Sequence, residues 1–172
     1  MPCSDCDFSG FVQGPVRVSV GGVKVGSTVR SGGNIVLSQG QGNIYLSSTL
    51  VSRIKKIVKP AAFTTLTLKT FNVQASNASP SVQNIIPDGG VTIENIPVKA
   101  GGVATIPAGA PQNTLPDVTF TAGQAGSTAI LSLADAAGSA ILFDADNNNL
   151  LEIDFTCAAL DPAVPVFPYD SE

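Results

Sequence analysis

The chain has 172 residues, 44% apolar and 13% charged, with 17 Gly, 12 Pro, three Cys, no His and a formal net charge of −4. That length and apolar share fit one domain able to bury a core without metal or dense disulfides. The lack of His removes Ser-His-Asp and Cys-His relays and the usual imidazole metal sites.

Charge is uneven along the sequence. Residues 1–86 carry eight Lys/Arg against Asp5 and Asp7, a net +6, whereas residues 87–172 set Lys99 against eleven acids, a net −10. If the two halves interleave in the fold, these charges neutralise one another; if they segregate, they suit head-to-tail contact between copies. No apolar run approaches the roughly 18–20 residues that span a bilayer, and residues 1–30 lack a basic end followed by a hydrophobic stretch. Neither membrane insertion nor an export signal is therefore expected.

In chain order, "VRVSV" puts Val16, Val18 and Val20 on one face of a strand, with a glycine break at Gly21 and Gly22 before "VKV". "NIVLS" and "NIYLS", separated by "QGQG", predict a hairpin. The period then changes. Leu50, Val51, Ile54, Ile57 and Val58 recur at helical spacing, Ser47 to Thr49 offer N-caps and Pro60 a stop, so one short helix is expected with its cations towards the C-terminal end. In "FTTLTLKTFNVQA", Leu66 and Leu68 share one face and Phe71 and Val73 the other, which predicts a bulge near Lys69 and Thr70. "VTIENIPVKA" switches face between Ile93 and Ile96, and Pro97 favours an edge. "GVATIP", "DVTFTA", "STAILSL", "SAILF" and "LLEIDFTC" read as further short strands. Their spacing of about ten residues predicts an all-β fold, an antiparallel two-layer β-sandwich, Ig-like or jelly-roll-like, with the one helix. Residues 1–162 form that single domain; residues 163–172, rich in Pro, form an extended arm.

Chemical motifs are few. No GxxxxGK[ST] loop and no GxGxxG turn entering a helix is present, and paired carboxylates for glycoside hydrolysis would lack sugar platforms, since there is no Trp and only Tyr45 and Tyr169. No enzyme activity and no cofactor are expected. In "DADNNN", Asp144, Asp146 and Asn148 match the first three ligand positions of a calcium loop, but the sixth is Asn149 and the twelfth Phe155, so a turn is favoured over a weak cation site. Cys3 and Cys6 have CxxC spacing but lack the further ligands of a zinc site and the strand–helix setting of a redox motif. A disulfide between Cys6 and Cys157 is expected, with Cys3 free or bridged to another chain; the alternative is three reduced thiols, with Cys157 buried as a small hydrophobe. "RIKKIVK" lacks interleaved aromatics, so no nucleic acid is expected as a partner. Asn77-Ala78-Ser79 is a glycosylation sequon, relevant to a chain secreted by a eukaryote.

The layout of "CDF" and "VRVSV", the helix "LVSRIKKI", "VTIENIPV", "LPDVTFTAG" and a last strand ending "FTCAALDP" resembles uncharacterised secreted β-sandwich domains of actinobacteria, over residues 5–162. The resemblance implies a disulfide-tied sandwich and no particular chemistry. Two expectations follow for function. The first is a non-enzymatic structural protein acting by protein–protein contact on an exterior surface, as a virion component that decorates a capsid or tail; the alternative is a secreted or cell-surface binding or adhesion module. In either, Val164, Val166, Phe167 and Tyr169 on the arm are the expected interface, in a homo-oligomer or larger assembly on a virion surface or outside the cell.

Overall fold

The computed structural model describes residues 3–24, 28–159 and 165–171. The alternating stretches become the strands β1 (Cys3–Phe8), β2 (Val12–Lys24), β3 (Thr28–Val29) and β4 (Asn34–Leu46) before the helix α1 (Ser48–Ile57). After it come β5 (Phe63–Ser76), β6 (Ala78–Ser79), β7 (Val82–Asn84), β8 (Val91–Pro97), β9 (Val103–Ile106), β10 (Val118–Ala122), β11 (Thr128–Phe143), β12 (Asn149–Cys157) and β13 (Pro165–Ser171). The class is as expected: mostly antiparallel β-structure with one short helix.

The strands form one continuous sheet that curls into a half-barrel and does not divide clearly into two layers. Its spine is β11, flanked along one edge by β5 and along the other by β13 and then β12. From β12 the sheet continues through β1, β2 and β4, which carries β9 and β10 on its far edge. At the opposite side β5 carries β7 and β8. Bulges supply the curl, because an extra residue bends a strand and increases its twist. One bulge falls at Lys69, where Ala137 and Gly138 on β11 oppose Thr70 and Leu68. This is the predicted change of face: the extra residue brings Leu66, Leu68, Phe71 and Val73 to the same buried side. A second sits on β11 at Ala134 and Asp135, pinned by Asn72 Nδ2 donating to Asp135 Oδ1 at 3.1 Å. A third, in β8, places Asn95 at a φ of 58° between buried Ile93 and buried Ile96, and among the described residues β8 pairs with β5 alone, an edge as Pro97 suggested.

Two local readings are corrected. "QGQG" does not turn; Gln39 takes a φ of 51° inside the continuous β4, and the register slips against β2 between Gly21 and Val23. Similarly, "STAILSL" and "SAILF" are one strand of 16 residues. In both places the long partner strand, β2 or β5, offers ladder hydrogen bonds on either side of the irregularity, so the chain bulges instead of reversing.

The concave side holds the core. α1 lies against it over β2, where Gly14 has no side chain: a β-carbon there would stand 3.3 Å from Leu50 Cα. Leu50, Val51 and Ile54 are the buried face of the helix, and Arg53 donates from Nη1 to the Gln13 carbonyl on β2. The loop after β8 brings the two wings of the sheet together, with Gly101 N–H donating to the Leu46 carbonyl and Leu46 N–H to that of Gly102.

Candidate functional site: an apolar cavity under the helix

Because the sheet curls while α1 covers only part of the concave face, side chains from β1, β2, β4, β5, β11 and β12 converge beneath the helix without filling the space. The cavity is walled by residues such as Val16, Leu68, Phe71, Ala136, Ala140 and Phe155. The cavity has a volume of about 70 Å³. Among the described residues of the wall Thr64 is the one with a hydroxyl, and it donates to the Ile141 carbonyl at 3.1 Å. A wall of this kind gives water no partners, so the space has the character of a dry hydrophobic hole. Leaving such a hole unfilled costs on the order of 2 kcal/mol in lost packing.

At the mouth stand two large apolar residues that folding leaves in water: Phe11, 59% exposed, and Ile57, 52% exposed. Phe11 is held there by the tight β1–β2 turn, in which Ser9 and Gly10 take φ values of 48° and 77°. Within that turn, Gly10 N–H donates to Asp7 Oδ1 at 2.8 Å and Phe11 N–H to the Phe8 carbonyl at 2.9 Å. Ile57 ends α1, one turn beyond Arg53, in a helix whose last turn carries Lys55 and Lys56. The helix starts where the sequence offered caps: Ser47 Oγ accepts from Leu50 N–H at 3.1 Å.

The residues singled out from sequence lie elsewhere or play structural parts. Cys6 and Cys157 are paired in register across β1 and β12 and joined by a disulfide, with Cα atoms 4.0 Å apart; both residues also line the cavity. Cys3 begins β1, and its side chain lies outside those described. Asp144 closes the β11–β12 hairpin: its Oδ1 accepts from the N–H groups of Asp146 and Asn148, and its Oδ2 from Asn148 Nδ2, each at 2.9 Å. Those hydrogen bonds, the Asn148 side chain first, hold the Asp144 carboxyl below its ordinary value of 3.8. Asn147 at a φ of 63° supplies the left-handed residue of the turn. Among the described residues no three His, Cys, Asp or Glu side chains gather to hold a metal ion. Asn77, the sequon residue, is exposed and donates from Nδ2 to the Thr128 carbonyl at 2.8 Å.

Of the expected interface residues, Val164 lies outside the described residues. Val166, Phe167 and Tyr169 have their backbone in β13, which pairs antiparallel with β11 and parallel with β3; their side chains lie outside those described. No described helix is long and apolar enough to cross a membrane. The basic and acidic halves of the sequence interleave in the sheet, and Lys69 Nζ on β5 lies 3.6 Å from Asp154 on β12. Sequence reasoning missed Phe11 and the cavity itself; the one signal for the former was a large aromatic beside Gly10 in a turn. No protein-family model, no curated protein and no solved structure matches the chain.

Proposed function

We propose that the chain is a non-enzymatic protein that acts by contact on an exterior surface, as a secreted or cell-surface binding module. The observation that carries this reading is the Cys6–Cys157 disulfide, because such bonds form and persist outside the reducing cytoplasm. Its frame would be sandwich-like, the wing of β5 and β8 facing the wing of β4 and β9 across the shared core. The resemblance in layout to secreted actinobacterial domains agrees with that setting, and a sequence without His leaves contact as the simpler use of the surface. A second reading, a virion component assembled from several copies, is favoured by the large apolar residues left exposed: Phe11, Ile57, Val82 and Val103. Residues of that kind gain by being covered.

Fractionation of cells that carry the gene, and of any particles they release, tests the reading when free thiols are tagged with a maleimide polymer before reduction. The chain is expected outside the cytosol with Cys6 and Cys157 untagged. Recovery in the medium or cell wall supports the secreted module, and co-sedimentation with particles supports the virion. A cytosolic chain with both thiols tagged would overturn both.

A further inference from the structure

Two apolar side chains that folding leaves in water stand beside a run of cations at the end of α1. Phe11 is 59% exposed and Ile57 52%, and both border the cavity, one from the β1–β2 turn and the other from the helix end. Arg53, Lys56 and Ile57 follow one another at spacings that keep Arg53 beside the other two on the helix surface. That side faces the turn, because Arg53 reaches the Gln13 carbonyl just beyond Phe11. The contact uses one guanidinium nitrogen and leaves other N–H groups for a further acceptor. Residues 48–59 hold Arg53, Lys55, Lys56 and Lys59, all exposed, and no acid. Among the described residues the one ion pair joins Lys69 to Asp154, so these cations have no carboxylate against them. Acids on the cavity's own strands β1 and β12 point the other way. Cys6, Phe8, Ile153 and Phe155 line the cavity, and alternation along each strand therefore sends Asp5, Asp7, Glu152 and Asp154 to the convex side.

We propose that this patch docks the protein on the surface of an anionic lipid bilayer, with Phe11 and Ile57 entering the interface and Arg53, Lys55, Lys56 and Lys59 among the headgroups. The chain lies on the bilayer and does not cross it. A lipid surface requires this combination: a few apolar side chains that penetrate to the acyl boundary, and cations beside them that meet the negative charge. A protein partner requires more. A stable protein interface buries about 800 Å² on each side around a packed apolar core, and two side chains projecting from a turn and a helix end do not make one. A second copy related by a two-fold axis would also set these cations against their own equivalents. The inference rests on the contact reading above and names the surface; an absence of lipid binding leaves that reading to its fractionation test.

The experiment is sedimentation of the intact, oxidised chain with vesicles of phosphatidylcholine alone or mixed with an equal amount of phosphatidylglycerol. The chain is expected to pellet with the mixed vesicles, to stay in solution with the neutral ones, and to be released by salt as the headgroup charge is screened. Phe11→Ser with Ile57→Ser, and separately Lys55→Gln with Lys56→Gln, should each weaken the partition by about tenfold or more. All of these positions are exposed, and an unchanged circular dichroism spectrum checks the fold. The chain has no Trp, so Phe11→Trp places a lone reporter at the contact. Its emission should shift to the blue with the mixed vesicles, whereas that of Val82→Trp, exposed and not bordering the cavity, should stay where it is. The proposal fails if pelleting does not depend on phosphatidylglycerol, if either folded double variant pellets as the parent does, or if the Phe11→Trp emission does not move. It fails equally if light scattering without lipid shows copies that associate in the parent and separate in Phe11→Ser with Ile57→Ser, for the patch then belongs to a second copy.

Discussion

Asp144 uses both carboxylate oxygens to hold the turn between β11 and β12, accepting from two backbone N–H groups and from the Asn148 amide. Each of these bonds favours the ionised form, so the carboxyl is held below its ordinary value of 3.8. A group whose pKa is lower in the folded than in the unfolded chain stabilises the fold fully above the unfolded value and loses that contribution as pH falls through the folded value. Asp144→Ala should therefore lower the Tm at pH 7, and the gap between variant and parent should close as pH is taken below 3.8. Asp146→Ala is the control, because Asp146 joins the turn through its backbone N–H. A gap that stays constant from neutral to acid pH would show that the carboxylate charge plays no part. With Asp144 committed to the turn, calcium at millimolar levels is expected to leave the Tm of the parent unchanged, since a ligand stabilises only as its concentration exceeds its Kd.

At the scale of elements, α1 roofs the cavity with ten residues, too few to persist as a helix without packing and caps. The Ser47 hydroxyl satisfies one of its free N–H donors. Ser47→Ala is expected to cost about 1 kcal/mol, read as a fall in Tm of about 2–4 °C for a domain of this size. Ser47→Asp should restore most of it, and an unchanged Tm in Ser47→Ala would mean that packing alone sets the helix start. This helix was legible in the sequence because its start, its period and its stop are all local: Ser47, the spacing of Leu50 to Val58, and Pro60. The bulge at Lys69 was legible for the same reason, since Leu66 and Leu68 alternate out of phase with Phe71 and Val73. The continuity of β4 and β11 was not. "QGQG" and "ADAAG" carry the composition of turns, and only the remote strands β2 and β5, long enough to pair on both sides, keep them extended. The cavity was hidden for a stronger reason. No segment encodes it, for Val16, Leu68, Ala140 and Phe155 are ordinary core residues until the curl of the whole sheet leaves a space among them.

The whole molecule is a sheet bent round until its first and last regions meet, and the narrowest part of that bend is the seam between β1 and β12. β1 pairs with β2 over six residues but with β12 over two, Cys6 with Cys157 and Asp7 with Thr156. Ser9 Oγ adds a hydrogen bond to the Asp154 carbonyl at 2.8 Å, and Ala158 N–H adds one to Asp5 at 3.0 Å. A ladder so short would open first when the half-barrel breathes, and the disulfide crosses it at the paired residues. The bond closes a sequence separation of 151 residues, for which loop entropy gives about 5 kcal/mol as an upper figure. Replacing both cysteines by alanine is expected to lower stability by several kcal/mol and to do so unevenly. In hydrogen exchange, amides of β1 and β12 should lose protection well before those on the β5–β11 ladder, which is paired along nearly the whole of β11. If the doubly substituted chain melts at the parent's temperature, or if protection falls equally everywhere, the disulfide is incidental to the seam. A selective loss at β1 and β12 would instead show that the covalent bond does there what two rungs of backbone hydrogen bonds cannot: it keeps the half-barrel curled and the wall of the cavity in place.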